Sequence, residues 1–123
     1  MTLDLTRFQA TGTETCFHDR HLGAQIYAGL NGKNWRLADY VARGAVGIIA
    51  GRFIDRKGAP VTGPLDERLI GADHQTLRRM TGLLVVSGME KLEPTLAALR
   101  GGYVDRIVVD AGLASAVLGL EPR

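Results

Sequence analysis

Residues 83–120 contain two consecutive strand-turn-helix units, and no other feature of the chain restricts its fold so strongly. The first joins "LLVVSG" to "EKLEPTLAALRGG", and the second joins "DRIVVD" to "AGLASAVLGL". In each, a short apolar run bounded by turn residues reads as a buried strand and gives way to apolar positions at helical spacing. Leu92, Leu96 and Leu99 fall at i, i+4 and i+7, a stripe that covers a sheet, and Gly101 or Gly102 ends that helix. Pro94 lies close enough to the helix start to leave it unbroken. Asp110 stands where an N-cap belongs, and Leu113, Val117 and Leu118 can pack back on the sheet. Units of this length imply adjacent parallel strands joined by right-handed crossovers. The expected fold class is α/β, with a mainly parallel, partial doubly wound sheet and flanking helices.

Upstream, Trp35, Leu37, Ala38, Val41 and Ala42 place apolar groups on one side of a short helix over 34–43, which Gly44 stops. The run "AVGIIAGRFID" alternates too little for a half-exposed strand and predicts one buried strand reaching Asp55. "DRKGAPV" then reverses the chain, and "VTGPLDERLIG" returns in extended form. Asp73 caps a helix over 74–80 that turns Leu77 and Met80 inward and Arg78 and Arg79 to water. Residues 1–33 show neither period and are expected to be irregular or extended, a segment distinct from 34–123.

A length of 123 residues accommodates one modest core and no second complete domain. The formal charge of +2 leans basic, but Lys and Arg are scattered, so no electrostatic footprint for nucleic acid stands out. The helix over 34–43 could open a helix-turn-helix, yet the strand-like "AVGIIAGRF" follows where a recognition helix is needed. Direct DNA binding by this chain alone is therefore not expected. Cys16 is the single cysteine and no secretory pattern opens the chain, which favours a cytoplasmic setting. No apolar run approaches the roughly 20 residues of a membrane span.

Three blocks, "GAVGIIAGRFIDRKGAPV", "PLDERLIGADHQTLRRM" and "LLVVSGMEKLEPTLAALRGGYVDRIVVDAGLASAVL", together resemble the C-terminal part of the sugar-binding effector domain of SorC-type transcriptional regulators. The resemblance covers about residues 34–119. It implies a fold similar to the glucosamine-6-phosphate deaminase and ribose-5-phosphate isomerase group, a phosphorylated sugar as effector, and dimers or tetramers. It also implies a considerably longer whole protein with an N-terminal helix-turn-helix, so the chain is expected to be a partial effector domain.

The resemblance places ligand contacts at Gly47, Ser87, Gly88 and Lys91. In the family two adjacent glycines precede a lysine that contacts ligand phosphate; Gly88 and Lys91 keep that pattern and Met89 departs from it. Independently, a strand-glycine-helix junction offers backbone N–H groups and a partial positive charge to an anion. Lys91 is a cation in the first helical turn, where a cation is disfavoured unless it serves something else. The plainer account is a solvated lysine offset by Glu90 and Glu93. Ile48, Val109 and Ala111 replace polar residues that the family commonly carries, which leaves open an altered ligand or a module that only oligomerises or binds a partner.

Arg52 and Arg56 could grip a phosphate through paired donors, although strand-end solvation accounts for both. Cys16, His18 and His21 offer zinc-ligand atoms without a fourth ligand or a usual spacing, so no metal is expected. His74 has no evident nucleophile beside it, and no Gly-x-Ser-x-Gly, Walker or dinucleotide pattern occurs. No catalytic residue and no cofactor are expected; a sugar-phosphate isomerase relative is the weaker alternative.

Overall fold

The computed structural model describes residues 37–120. In chain order these form helix α1 (Leu37–Ala42), strands β1 (Ala45–Ile49) and β2 (Arg52–Asp55), a 3₁₀ turn (Asp66–Arg68), helix α2 (His74–Arg79), strand β3 (Leu83–Val86), a second 3₁₀ turn (Met89–Lys91), helix α3 (Leu92–Arg100), strand β4 (Arg106–Val109) and helix α4 (Ala111–Leu120). Both strand-turn-helix units are present, and β3 pairs with β4 in parallel, Leu83 opposite Arg106 and Val86 opposite Val109. The fold is α/β.

One face of the parallel pair is packed. Leu84 and Val86 are buried with Leu113 of α4, and Leu92, Ile107, Val109 and Val117 pack around them. Strand period two turns Leu83, Val85, Arg106 and Val108 to the other face, where Val108 stays 56% exposed.

The upstream half corrects the sequence reading. Residues 45–55 are not one strand but a hairpin, with β1 and β2 antiparallel and Ile49 opposite Arg52. Ala50 (φ 47°) and Gly51 (φ 82°) form its loop. Two successive residues with positive φ give the turn twist that matches right-handed strands. Asn or Asp at position 50 would have announced the turn; alanine conceals it. The second reversal does fall in "DRKGAPV": the Asp55 carboxylate accepts from the Lys57 and Ala59 amides, both at 2.9 Å. The extended return is short. Pro60 bridges Ile54, the Val61 amide donates to the Phe53 carbonyl, and the chain then winds into the first 3₁₀ turn.

Helix α1 also presents a different face from the one expected. Tyr40 is fully buried, whereas Val41 is 43% exposed and Ala38 and Ala42 are exposed. The tyrosine wins because both ends are served: its ring stacks on Phe53 at 4.1 Å, and its hydroxyl donates to Asp66 and accepts from the Leu65 amide. Trp35, and the first residues of the expected helix, lie outside the described residues. In α2 the Asp73 cap is present, accepting from the Thr76 amide at 2.7 Å, and Leu77 packs inward. Met80 does not: it follows the helix in extended conformation and is exposed.

Two glycines join the halves. Gly58, at φ 80°, brings the β2 turn against the backbone of Gly101 at the end of α3. Tyr103 donates its hydroxyl to the Gly58 carbonyl at 2.9 Å, and Arg78 donates to the Gly101 and Gly58 carbonyls from above the Tyr103 ring. Arg78 thus does more than face water. Ile49, Ile54, Ala97, Ala98 and Tyr103 fill the core beneath this contact.

Candidate functional site

Parallel strands that pair in register end at the same level, so whatever follows β3 lies beside whatever follows β4. Val86 opposes Val109, which places Ser87 and Gly88 next to Asp110. In open α/β sheets the crevice beyond the carboxyl ends of the strands is where ligands bind. Gly88 adopts φ 101° and ψ 139°, a conformation that a side chain resists, and the 3₁₀ turn Met89–Lys91 begins immediately after it. Helix α3 continues from that turn, so backbone N–H groups converge on the junction.

Asp110 has two roles. Its Oδ1 accepts from the Leu113 amide at 2.9 Å and caps α4, while its Oδ2 accepts from the Gly88 amide at 2.8 Å. The Leu113 and Gly88 amides hold its carboxyl below the usual carboxylate range. The cap is visible in the sequence; the bond to Gly88 depends on strand register, and the parallel pairing was the available signal.

Lys91 is buried, at 5% exposure, and this corrects the picture of a solvated lysine held between two glutamates. Glu93 is instead paired with Arg56 at 2.6 Å. Lys91 ends the 3₁₀ turn and precedes α3, its amide donating to the Gly88 carbonyl at 3.1 Å. Ser87, Gly88 and Lys91 therefore share one junction. Gly47 belongs to the other sheet, buried in β1 opposite Ile54. Ile48 is wholly in the core with Tyr40 and Phe53, whereas Met89 and Ala111 are exposed beside the junction.

Arg52 fits neither reading made for it. It is 8% exposed and donates to the Asp66 carboxylate and to the Gly71 and Ala72 carbonyls, bracing the 61–73 segment against the hairpin. Arg56 remains a surface charge paired with Glu93. His74 is buried with Nε2 2.8 Å from the Phe53 carbonyl, and burial pushes its pKa down. Its contacts are structural. Cys16, His18 and His21 lie outside the described residues, among which no cluster of three potential metal ligands occurs. No described helix is long and apolar enough to cross a membrane.

A separate cleft of about 840 Å³ opens between the end of α1, the β2 turn and the start of α3, lined in part by Arg43, Asp55, Arg56, Lys57, Glu90 and Glu93. Its charges are mixed, and of the junction residues it takes in Glu90 but not Gly88 or Lys91.

A parallel pair ending in a glycine turn beside a capped helix forms the kind of crevice in which ligands bind in open α/β sheets. The Sugar-bind model, of a sugar-binding domain, matches residues 23–119, and the chain belongs to that family. The transcriptional regulator YjhU of Escherichia coli K12 is 42% identical over 79 residues, which are 63% of this chain and 24% of that protein. Among solved structures, the full-length sorbitol operon regulator SorC of Klebsiella pneumoniae superposes with TM-score 0.63 at 29% identity, over 66% of this chain and 26% of that one. A transcriptional regulator of Streptococcus pneumoniae gives TM-score 0.68 at 27% identity, over 79% of this chain and 37% of that one. The chain thus spans between 24% and 37% of the length of these relatives, which are bacterial transcriptional regulators.

Proposed function

We propose that the chain is the ligand-sensing part of a sugar-responsive regulator, and that the end of the β3–β4 pair recognises a phosphorylated sugar. The observation that carries this reading is the convergence of Ser87, Gly88 and Lys91 where both parallel strands end. Gly88 lets the backbone approach the ligand closely, the first turn supplies N–H donors, and the Lys91 ammonium supplies a full charge. Gly47, in the neighbouring sheet, is assigned to the sugar side of the same pocket on resemblance alone. The chain acts as a binding module, not an enzyme, in the cytoplasm. Its residues 34–123 supply part of the effector fold of a longer regulator, whose DNA contacts are made by another module.

The test is calorimetric titration of the full chain with a panel of sugar phosphates and the corresponding free sugars. The phosphorylated member should bind more tightly, and Lys91→Met should weaken it at least about tenfold, since a charge-assisted contact is worth roughly 1.5–3 kcal/mol. Methionine is the right replacement because Lys91 is buried, and alanine would also open a cavity. Equal affinity in the wild type and Lys91→Met would remove Lys91 from the site.

The exposed face of β3–β4 favours self-association as a second property. Parallel strands are ordinarily covered on both faces, and here Val108 stands open beside Leu83 and Val85. Light scattering should give a mass above that of one chain. A stable monomer at high concentration would refute this property without touching the ligand reading.

A further inference from the structure

Three carboxylates lie near the glycine junction, and two of them are committed. Asp110 is fixed by the Leu113 and Gly88 amides, and Glu93 is paired with Arg56. Glu90 is exposed and holds no such bond among the described residues, yet its carboxyl group does not point away. A Cβ built on Gly88 would collide with it, meeting Oε1, then Oε2 at 2.6 Å and Cδ at 2.7 Å. Glu90 therefore folds back from the first turn and rests on the α-carbon of Gly88. An acid is electrostatically welcome there, because the start of a helix carries partial positive charge. That is also the ground a ligand phosphate would have to take.

We infer that Glu90 gates the junction: it is an internal carboxylate that occupies the anion position at Gly88 until an anionic ligand displaces it. This rests on the phosphate reading of the site and adds to it a selectivity threshold. A free sugar does not compete with Glu90 for charge, whereas a phosphate must first move it. Glu90→Gln keeps the size and hydrogen-bonding capacity of the side chain but removes the repulsion, so it raises phosphate affinity and leaves free-sugar affinity unchanged. Like charges in near contact at a partly solvated site are worth about tenfold in affinity.

The test uses the full chain and inorganic phosphate at neutral pH, followed through the amide signals of Gly88 and Lys91 by NMR, for wild type, Glu90→Gln and Lys91→Met. The expected result is saturation at about tenfold lower phosphate in Glu90→Gln than in wild type, with the response lost in Lys91→Met. Equal midpoints for wild type and Glu90→Gln, with loss in Lys91→Met, would overturn the gate while leaving the phosphate site standing. No phosphate response at these amides in any variant would overturn both. A thermal melt of Glu90→Gln is expected to fall only slightly below wild type, because the side chain is exposed and its stabilising role is confined to the charge at the helix start.

Discussion

Gly58→Ala is expected to lower the melting temperature by on the order of 15 °C, one of two large stability effects that follow from the packing. Two penalties coincide at this position. The φ of 80° places any side chain in the left-handed region, and a Cβ there would overlap the backbone of Gly101 and the Ala97 carbonyl oxygen. Backbone cannot move aside as a flexible side chain can, so the β2 turn must separate from α3, loosening the Tyr103 and Arg78 bonds to the Gly58 carbonyl. The combined loss is about 3 kcal/mol. Gly102 is the internal control, since it has φ 76° with nothing within 4 Å of a built Cβ. Gly102→Ala should therefore show only the conformational strain, about 1 kcal/mol. Melting curves followed by circular dichroism separate the two, and equal shifts would mean that the Gly58–Gly101 contact does not join the halves.

Arg52→Met is expected to cost about 3 kcal/mol, measured as a lower urea midpoint with an unchanged slope. Arg52 and Asp66 form a nearly buried pair at 3.3 Å, with side-chain exposures of 10% and 16%. Removing the guanidinium strands the Asp66 Oδ1 and the Gly71 and Ala72 carbonyls, all of which it now serves. Asp66 Oδ2 keeps the Gly63 amide and the Tyr40 hydroxyl, so the 3₁₀ turn loosens without losing every anchor. Arg52→Lys should recover little, because one ammonium cannot match donors set in a planar fork. A wild-type midpoint for Arg52→Met would show that the brace is dispensable.

Strong local signals carried well from sequence to structure. Both strand-turn-helix units, the parallel pairing, the Asp73 and Asp110 caps and the reversal at "DRKGAPV" were legible because each depends on residues close together in the chain. The failures depend on tertiary context or on an unusual residue. Ala50 with positive φ hid the hairpin. Tyr40 displaced Val41 as the buried face of α1 because Phe53 and Asp66, distant in sequence, complete its environment. Arg52 read as a surface charge because its partners lie 14 to 20 residues away. At the junction the grouping of Ser87, Gly88 and Lys91 was local and visible, whereas the burial of Lys91, the Asp110 bond to Gly88 and the return of Glu90 onto Gly88 required the fold.

Hydrogen–deuterium exchange of the full chain, with and without a panel of sugar phosphates, tests the central claim most directly. A binding sugar phosphate is predicted to slow exchange in residues 86–92 and 110–114, the two segments that meet beyond the ends of β3 and β4, and Lys91→Met should abolish the effect. Protection confined to residues 43–57, around the mixed-charge cleft, or no protection by any sugar phosphate, would contradict it.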